Sequence, residues 1–142
     1  MGPSKLCLEG ARVLVVEWHD DTLELNRILL AHRGAEVRVA GTTEAALDLM
    51  RSWPPDAVVA DLRLPGRGAF KLVDEARAPG RDRVPVVGTS TDVRPEARAD
   101  ALDRGICAYL TKPVEPDDLC SAVARAVGRG TRGLASARNP VR

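Results

Sequence analysis

The chain has 142 residues, of which 44% are hydrophobic and 29% charged, a composition that suits one globular domain with a single core. Its net charge of +1 gives no general attraction to nucleic acid, so we expect no direct contact with DNA or RNA. We also expect no membrane span, because no apolar run approaches the roughly 18 residues that a span requires, and no secretory leader, because MGPSKLCLEG at the start has no apolar core region. The three cysteines lie far apart without metal-ligand spacing, which favours reduced thiols in a cytoplasmic protein.

Five short apolar runs along the chain have the length of β-strands. They are Arg12–Val16, Ala35–Ala40, Ala57–Ala60, Val84–Gly88 and Ile106–Leu110. A segment with helical spacing follows each run, and these segments are Thr22–His32, Thr43–Arg51, about Ala69–Arg77, about Pro95–Arg104 and Pro116–Val127. The first helix is predicted to take Asp21 as its N-cap with Glu24 completing a capping box, while Gly105 and Gly128 end the fourth and fifth helices. The alternation of strand and helix predicts an α/β fold with a doubly wound five-stranded parallel sheet.

The composition of the strands also predicts their order. The runs VLVV and AVVA are apolar on both faces, as strands at the centre of a parallel sheet must be. The second run, AEVRVA, carries Glu36 and Arg38 at alternate positions, which is typical of an edge strand. We therefore predict a flavodoxin-like sheet of order 2-1-3-4-5, with a ligand crevice at the carboxyl ends of strands one and three.

Three segments differ in character. Residues 1–10 precede the first strand and are interpreted as an N-terminal extension. Residues 11–128 carry all of the strand–helix alternations, so they form the folded domain. Residues 129–142 are rich in arginine and have no apolar stripe with helical spacing, and they are predicted to form a flexible basic tail.

Polar side chains stand where several of the predicted strands end. Glu17 and Trp18 follow the first strand, Asp61 follows the third, Ser90 the fourth and Lys112 the fifth. Lysine is rare here, with 3 among the 21 basic residues, so a lysine at a strand end suggests a need for a compact ammonium group. An acid, a hydroxyl and a lysine on neighbouring strand ends suit the binding of one small anionic group.

Four stretches carry a family resemblance. VLVVE, PDAVVADLRLPG, VPVVGTS and AYLTKPVEPDDL follow one another in this order, and together they resemble the receiver domain of bacterial two-component response regulators. The likeness extends from about Ala11 to Val127. It implies that Asp61 accepts a phosphoryl group from a histidine kinase, that Ser90 is the switch hydroxyl, and that Tyr109 is the aromatic residue that moves behind it. It also implies that Lys112 pairs with the phosphoryl group and that the Lys112–Pro113 peptide is cis.

The resemblance further implies a Mg²⁺ site, formed by an acidic pair after strand one, by Asp61 and by the backbone carbonyl of Arg63. Glu17 matches the first acid of that pair, but Trp18 stands in place of the second. An indole has no acceptor oxygen, and His19 or Asp20 replaces the missing acid only if the loop is reshaped. We therefore expect weak or absent Mg²⁺ binding. If the indole covers Asp61, desolvation should also raise the pKa of that carboxyl group.

The leading hypothesis is a receiver in a two-component phosphorelay, which takes a phosphoryl group onto Asp61 from a histidine kinase or phosphotransfer protein. Output then passes to a downstream protein through residues 93–127, and a homodimer is left open. The alternative is an atypical pseudo-receiver that acts as a phosphorylation-independent interaction module because of Trp18. We do not expect an enzyme, since no further base, lid or substrate domain is evident and no G-x-G-x-x-G follows the first strand.

Overall fold

The computed structural model describes residues 6–79 and 83–138, and for residues 129–138 it describes the backbone only. The strands are β1 Arg12–Val16, β2 Glu36–Ala40, β3 Ala57–Asp61, β4 Val86–Ser90 and β5 Ala108–Thr111. The helices are α1 Asp20–His32, α2 Thr43–Ser52, α3 Gly68–Ala76, α4 Pro95–Asp103 and α5 Pro116–Arg138, with a short 3₁₀ turn at Pro65–Arg67.

The five strands form one parallel sheet in the order β2-β1-β3-β4-β5. This order confirms the flavodoxin-like fold class and the edge position of β2. Strands β1, β3 and β4 are buried along nearly their whole length, because helices cover both faces of the sheet.

Two apolar clusters hold the layers together, one on each face of the sheet. Alternate residues of each strand supply them, since Leu14 and Val16 point to one side and Val13 and Val15 to the other. The first cluster packs against α2, α3 and α4, and the second packs against α1 and α5. Leu8 also lies in the second cluster and is fully buried, so part of the predicted N-terminal extension belongs to the core.

Helix α1 begins earlier than the sequence suggested. His19 occupies the N-cap position without a side-chain cap, and Asp20 and Asp21 both lie in the first turn. The prediction of Asp21 as N-cap is therefore wrong. Carboxylates in the first turn still stabilise the helix, because they face its positive end.

Strands β4 and β5 each begin two residues later than predicted, at Val86 and Ala108. Proline at position 85 has no N–H to donate to the sheet, which delays the start of β4. The shift places Ser90 at the end of β4 rather than beyond it.

Helix α5 also differs from its prediction. Gly105 lies just after the C-cap of α4 and has a φ of 111°, the left-handed conformation expected of a residue that ends a helix. Gly128 does not adopt that conformation, and α5 continues to Arg138, so the prediction that α5 stops at Gly128 is wrong. A glycine inside a helix costs only about 1 kcal/mol, which does not by itself end one.

The flexibility of the predicted C-terminal tail stays a prediction, and residues 139–142 lie outside the described part of the chain. No helix in the described residues is both long and apolar enough to span a membrane.

Candidate functional site

The predicted site residues meet at the carboxyl edge of the sheet. Glu17 follows β1, Asp61 is the last residue of β3, Ser90 is the last residue of β4, and Lys112 follows β5. Parallel strands bring these four positions to one edge because their carboxyl ends all point the same way. Glu17 and Asp61 are only 1% and 2% exposed, so two acidic side chains lie inside the domain rather than on its surface.

A lysine joins the two buried carboxylates. Lys112 Nζ lies 2.7 Å from Glu17 Oε1 and 3.1 Å from Asp61 Oδ2. The remaining oxygens accept backbone N–H groups, from Arg63 to Asp61 Oδ1 at 2.8 Å and from His19 to Glu17 Oε2 at 3.2 Å. Every carboxylate oxygen thus has a donor, as buried acids require. We call Glu17, Asp61 and Lys112 the carboxylate–lysine cluster.

The two acids of this cluster differ in proton affinity. Burial raises the pKa of Asp61, but the Arg63 N–H, Glu17 and Lys112 outweigh it, and the pKa ends below its usual value. Burial likewise raises the pKa of Glu17, and there the neighbouring Asp61 adds to the increase, so the pKa stays above its usual value despite Lys112. The lowered pKa keeps the Asp61 carboxyl group ionised at neutral pH, which a carboxylate nucleophile requires.

Most of the Trp18 side chain faces solvent. It is 57% exposed, and its ring meets the His19 ring edge-on with 6.1 Å between centroids. Asp61 accepts hydrogen bonds from Lys112 Nζ and from the Arg63 N–H. These bonds, together with Glu17, outweigh the effect of burial and lower the pKa of Asp61, so the expectation of a raised pKa is wrong.

The oxygen donors suit a hard cation in type but not in number. Glu17 and Asp61 supply carboxylates, the ligands that Mg²⁺ prefers. Within residues 6–79 and 83–138, no group of three or more histidine, cysteine or acidic side chains is placed to hold a metal ion. His19 is exposed with its Nδ1 3.4 Å from the Thr22 hydroxyl, and Asp20 is exposed in α1, so neither replaces the missing acid.

Ser90 and Tyr109 are linked through a residue that the sequence interpretation missed. The Ser90 hydroxyl accepts the N–H of Asp92 at 3.0 Å, and the Tyr109 hydroxyl donates to the carbonyl of Asp92. The signal was present, because a serine that bonds the N–H two residues on is a common turn motif. Hydrogen bonds from Arg94 to the Asp92 side chain hold this turn and lower the pKa of Asp92 to about 2. Tyr109 is half-buried, and a cavity of about 420 Å³ opens beside it and Ser90.

Four residues form the solvent-exposed margin of the site, and we call them the rim: Trp18, His19, Arg63 and Thr91. Arg63 Nη1 donates to the Thr91 hydroxyl at 3.3 Å, so its side chain joins the segments that follow β3 and β4. On the inner side, the Lys112 N–H donates to the Ser90 carbonyl at 2.8 Å, and the Lys112–Pro113 peptide is cis as predicted.

Comparison with known proteins agrees with this geometry. Residues 13–124 match the family model of the response regulator receiver domain, so the chain belongs to that family, whose members act in two-component signalling. The chain is 36% identical over 112 residues to an uncharacterized 14.6 kDa protein of Leptolyngbya boryana, covering 78% of this chain and 86% of that one. It resembles the solved structure of the Francisella response regulator 1452 receiver domain, with a TM-score of 0.76 and 25% identity over 84% of this chain and 98% of that one.

Some relatives are longer than this chain. The transcriptional regulatory protein KdpE of Mycobacterium tuberculosis is 34% identical over 119 residues, which cover 84% of this chain but 52% of KdpE. The chain therefore spans about half the length of that relative.

Proposed function

We propose that the domain receives a phosphoryl group on Asp61 from a histidine kinase or a phosphotransfer protein. The observation that carries the proposal is the position of the buried Asp61 carboxyl group, held at the end of β3 with Lys112 Nζ 3.1 Å away. In the transfer, a carboxylate oxygen bonds to phosphorus while the bond from phosphorus to the donor nitrogen breaks and its electron pair stays on that nitrogen. Lys112 offsets part of the charge that gathers between the two anions.

Positive charge beyond Lys112 would come from a divalent cation. Glu17, Asp61 and the carbonyl of Arg63 would hold Mg²⁺, which supplies charge neutralisation when bound. Because Trp18 contributes no oxygen, we propose that Mg²⁺ binds more weakly than it would to three acids. In this proposal the chain is a phosphoryl acceptor and not an enzyme with a substrate of its own.

The signal would leave through the turn that joins Ser90 to Tyr109. When the Ser90 hydroxyl turns toward a phosphoryl group on Asp61, its bond to the Asp92 N–H is disturbed. The Asp92 carbonyl in turn accepts from Tyr109, so the change reaches β5 by two hydrogen bonds. A downstream protein, or a second copy of the chain, would bind residues 93–127, where Val93 is exposed and a depression of about 340 Å³ lies between α4, β5 and α5.

The alternative function is a pseudo-receiver that binds a partner without phosphorylation. The exposed rim residue Trp18 favours it, together with exposed Leu25 and Ile28 on α1. Large aromatic side chains that stay exposed beside a cleft are typical anchors of protein interfaces. The intact carboxylate–lysine cluster favours the phosphoacceptor instead.

The deciding experiment is intact-mass analysis after incubation with Mg²⁺ and acetyl phosphate. We expect a phosphoryl adduct on the parent protein and none on Asp61→Asn, which keeps the shape of the side chain but loses the nucleophile. Trp18→Asp restores an acid, with Trp18→Asn as its uncharged control. An adduct on Trp18→Asp but not on the parent or Trp18→Asn would favour the pseudo-receiver.

A further inference from the structure

Arg63 makes two contacts that serve different purposes. Its backbone N–H holds Asp61 Oδ1 at 2.8 Å, so the residue is fixed beside the acceptor. Its side chain extends along the rim, where Nη1 reaches the Thr91 hydroxyl at 3.3 Å. A guanidinium group therefore lies at the exposed margin of the site, on a residue that also contacts Asp61.

Within the described residues, the side-chain partner of this guanidinium is a hydroxyl and not an acid. Several other arginines of the chain contact carboxylates, including Arg27 with Glu24 and Arg104 with Asp100. Arg63 contacts a neutral hydroxyl, and no carboxylate of the described residues forms an ion pair with it. Asp92 is an acid that interacts electrostatically with Arg63, but its carboxylate is already hydrogen-bonded to Arg94. The Thr91 hydroxyl carries no charge, so it holds the guanidinium less strongly than an anionic oxygen would, and an anion would compete with Thr91 for Arg63.

The charge balance of the site supplies the reason for a second cation. Lys112 is shared between Glu17 and Asp61, so one ammonium already faces two carboxylates. A phosphoryl group on Asp61 adds further negative charge at the same place. Because Trp18 removes one potential metal ligand, a side-chain cation on the rim would supply part of the missing positive charge, and the planar fork of arginine suits phosphoryl oxygens.

We propose that Arg63 is a phosphoryl-binding residue, whose guanidinium leaves Thr91 and binds the oxygens of the incoming phosphoryl group. The inference rests on the proposed phosphorylation of Asp61. With acetyl phosphate as donor, a carboxylate oxygen of Asp61 bonds to phosphorus, the bond from phosphorus to the acetyl oxygen breaks, and acetate leaves with the electron pair. Arg63 changes no bond in this step and acts by binding charge.

The test measures the rate of adduct formation with acetyl phosphate by intact mass. We expect Arg63→Gln to slow the reaction about tenfold, since a charge-assisted hydrogen bond is lost in the transition state. Arg63→Lys, which keeps the charge but not the planar fork, should recover only part of that loss. Arg27→Gln, which removes one arginine from the exposed face of α1, should react within about twofold of the parent, and so should Thr91→Ala.

Thr91→Ala separates anion binding from simple attachment of one loop to another. If it slows the reaction as much as Arg63→Gln, the Arg63–Thr91 contact only positions the loops and the proposal is wrong. An unchanged rate in Arg63→Gln contradicts it equally. Backbone effects do not enter, because every variant keeps the N–H that holds Asp61.

A second measurement is independent of phosphorylation. Inorganic phosphate is titrated into the parent and into Asp61→Asn while the NMR signal of the Arg63 Nε–H group is followed. A saturable chemical-shift change at Arg63 supports the inference, and it should be stronger in Asp61→Asn because a repelling charge is gone. This support holds even if no variant forms an adduct. The lack of an adduct would refute only the proposed phosphorylation. The absence of any shift at Arg63 would overturn the inference.

Discussion

The carboxylate–lysine cluster and the rim are neighbours, yet they differ in burial and in hydrogen bonding. In the cluster, Glu17, Asp61 and Lys112 are enclosed, and each carboxylate oxygen has a hydrogen-bond donor. On the rim, Trp18 and Arg63 are exposed, and Trp18 stands where the family resemblance implies an acid. The missing acid at Trp18 thus lies in the solvent-exposed layer of the site. The difference teaches that the proposed phosphoryl acceptor is held by buried hydrogen bonds, while the proposed cation and partner contacts involve exposed side chains.

The two tryptophans give the largest expected contrast between inside and outside. Trp53 is 5% exposed and packs beneath Arg12 and Arg38, so Trp53→Ala should lower the free energy of unfolding by about 3–5 kcal/mol. Trp18→Ala should change it by less than about 0.5 kcal/mol, as at other exposed positions. Urea unfolding followed by circular dichroism measures both. A loss above about 1.5 kcal/mol for Trp18→Ala would mean that the indole packs inside the domain.

Removal of the lysine from the carboxylate–lysine cluster should have the next largest effect on the free energy of unfolding. Lys112→Met leaves two buried carboxylates without their shared cation, and we expect a loss of about 3 kcal/mol in the free energy of unfolding. The matched control is Lys71→Met on the exposed face of α3, which should stay within about 0.5 kcal/mol of the parent. Equal urea midpoints for the two variants would show that Lys112 does not hold the acids together.

Adding an acid to the rim should have a smaller effect. Trp18→Asp places a third carboxylate beside Glu17 and Asp61, and partial screening by water limits the repulsion to about 1 kcal/mol without metal. Mg²⁺ should then raise the melting temperature of Trp18→Asp more than that of the parent, because the donor set is larger. Trp18→Asn is the control for size. The same Mg²⁺ response in all three proteins would contradict the idea that Trp18 weakens the cation site.

The smallest expected effect concerns the titration of Asp92, which lies in the turn after β4. Asp92 has a folded-state pKa of about 2, below its ordinary 3.8, because of Arg94. Its contribution to stability is therefore complete above pH 3.8 and is lost as the pH falls toward 2. Carboxyl-carbon NMR should give a titration midpoint near 2 for Asp92 in the parent and a higher one in Arg94→Gln. The same Asp92 titration midpoint in the parent and in Arg94→Gln would disprove the pairing of Asp92 with Arg94.

The sequence was sufficient for the fold because apolar patterns determine which strands are central. VLVV and AVVA predicted the buried β1 and β3, and the charged Glu36 and Arg38 predicted the edge strand. Element ends were harder, since an uncapped helix start at His19 and a helical Gly128 leave no distinctive pattern. Those ends depend on tertiary packing and not on local propensity.

The positions of the main site residues were predictable, but Asp92 and several of the contacts were not. Strand ends brought together Glu17, Asp61, Ser90 and Lys112 as expected. The direction of the Trp18 side chain was not predictable, because an exposed indole obeys no burial pattern. The bond from Lys112 to Glu17 was also missed, since a lysine at a strand end reveals its position but not which of two acids it contacts more closely.

Leu8 gives the domain a fixed attachment point. Its side chain is buried against β1, α1 and α5, and its N–H donates to the Arg33 carbonyl at 2.9 Å at the end of α1. This anchor lies before β1, at the opposite edge of the sheet from Asp61, and a five-residue strand separates the two edges by roughly 16 Å. A dye, bead or surface linked ahead of Leu6 would therefore hold the domain with Asp61 facing away from it. A chain shortened to Ala11 would lose both this handle and a core side chain.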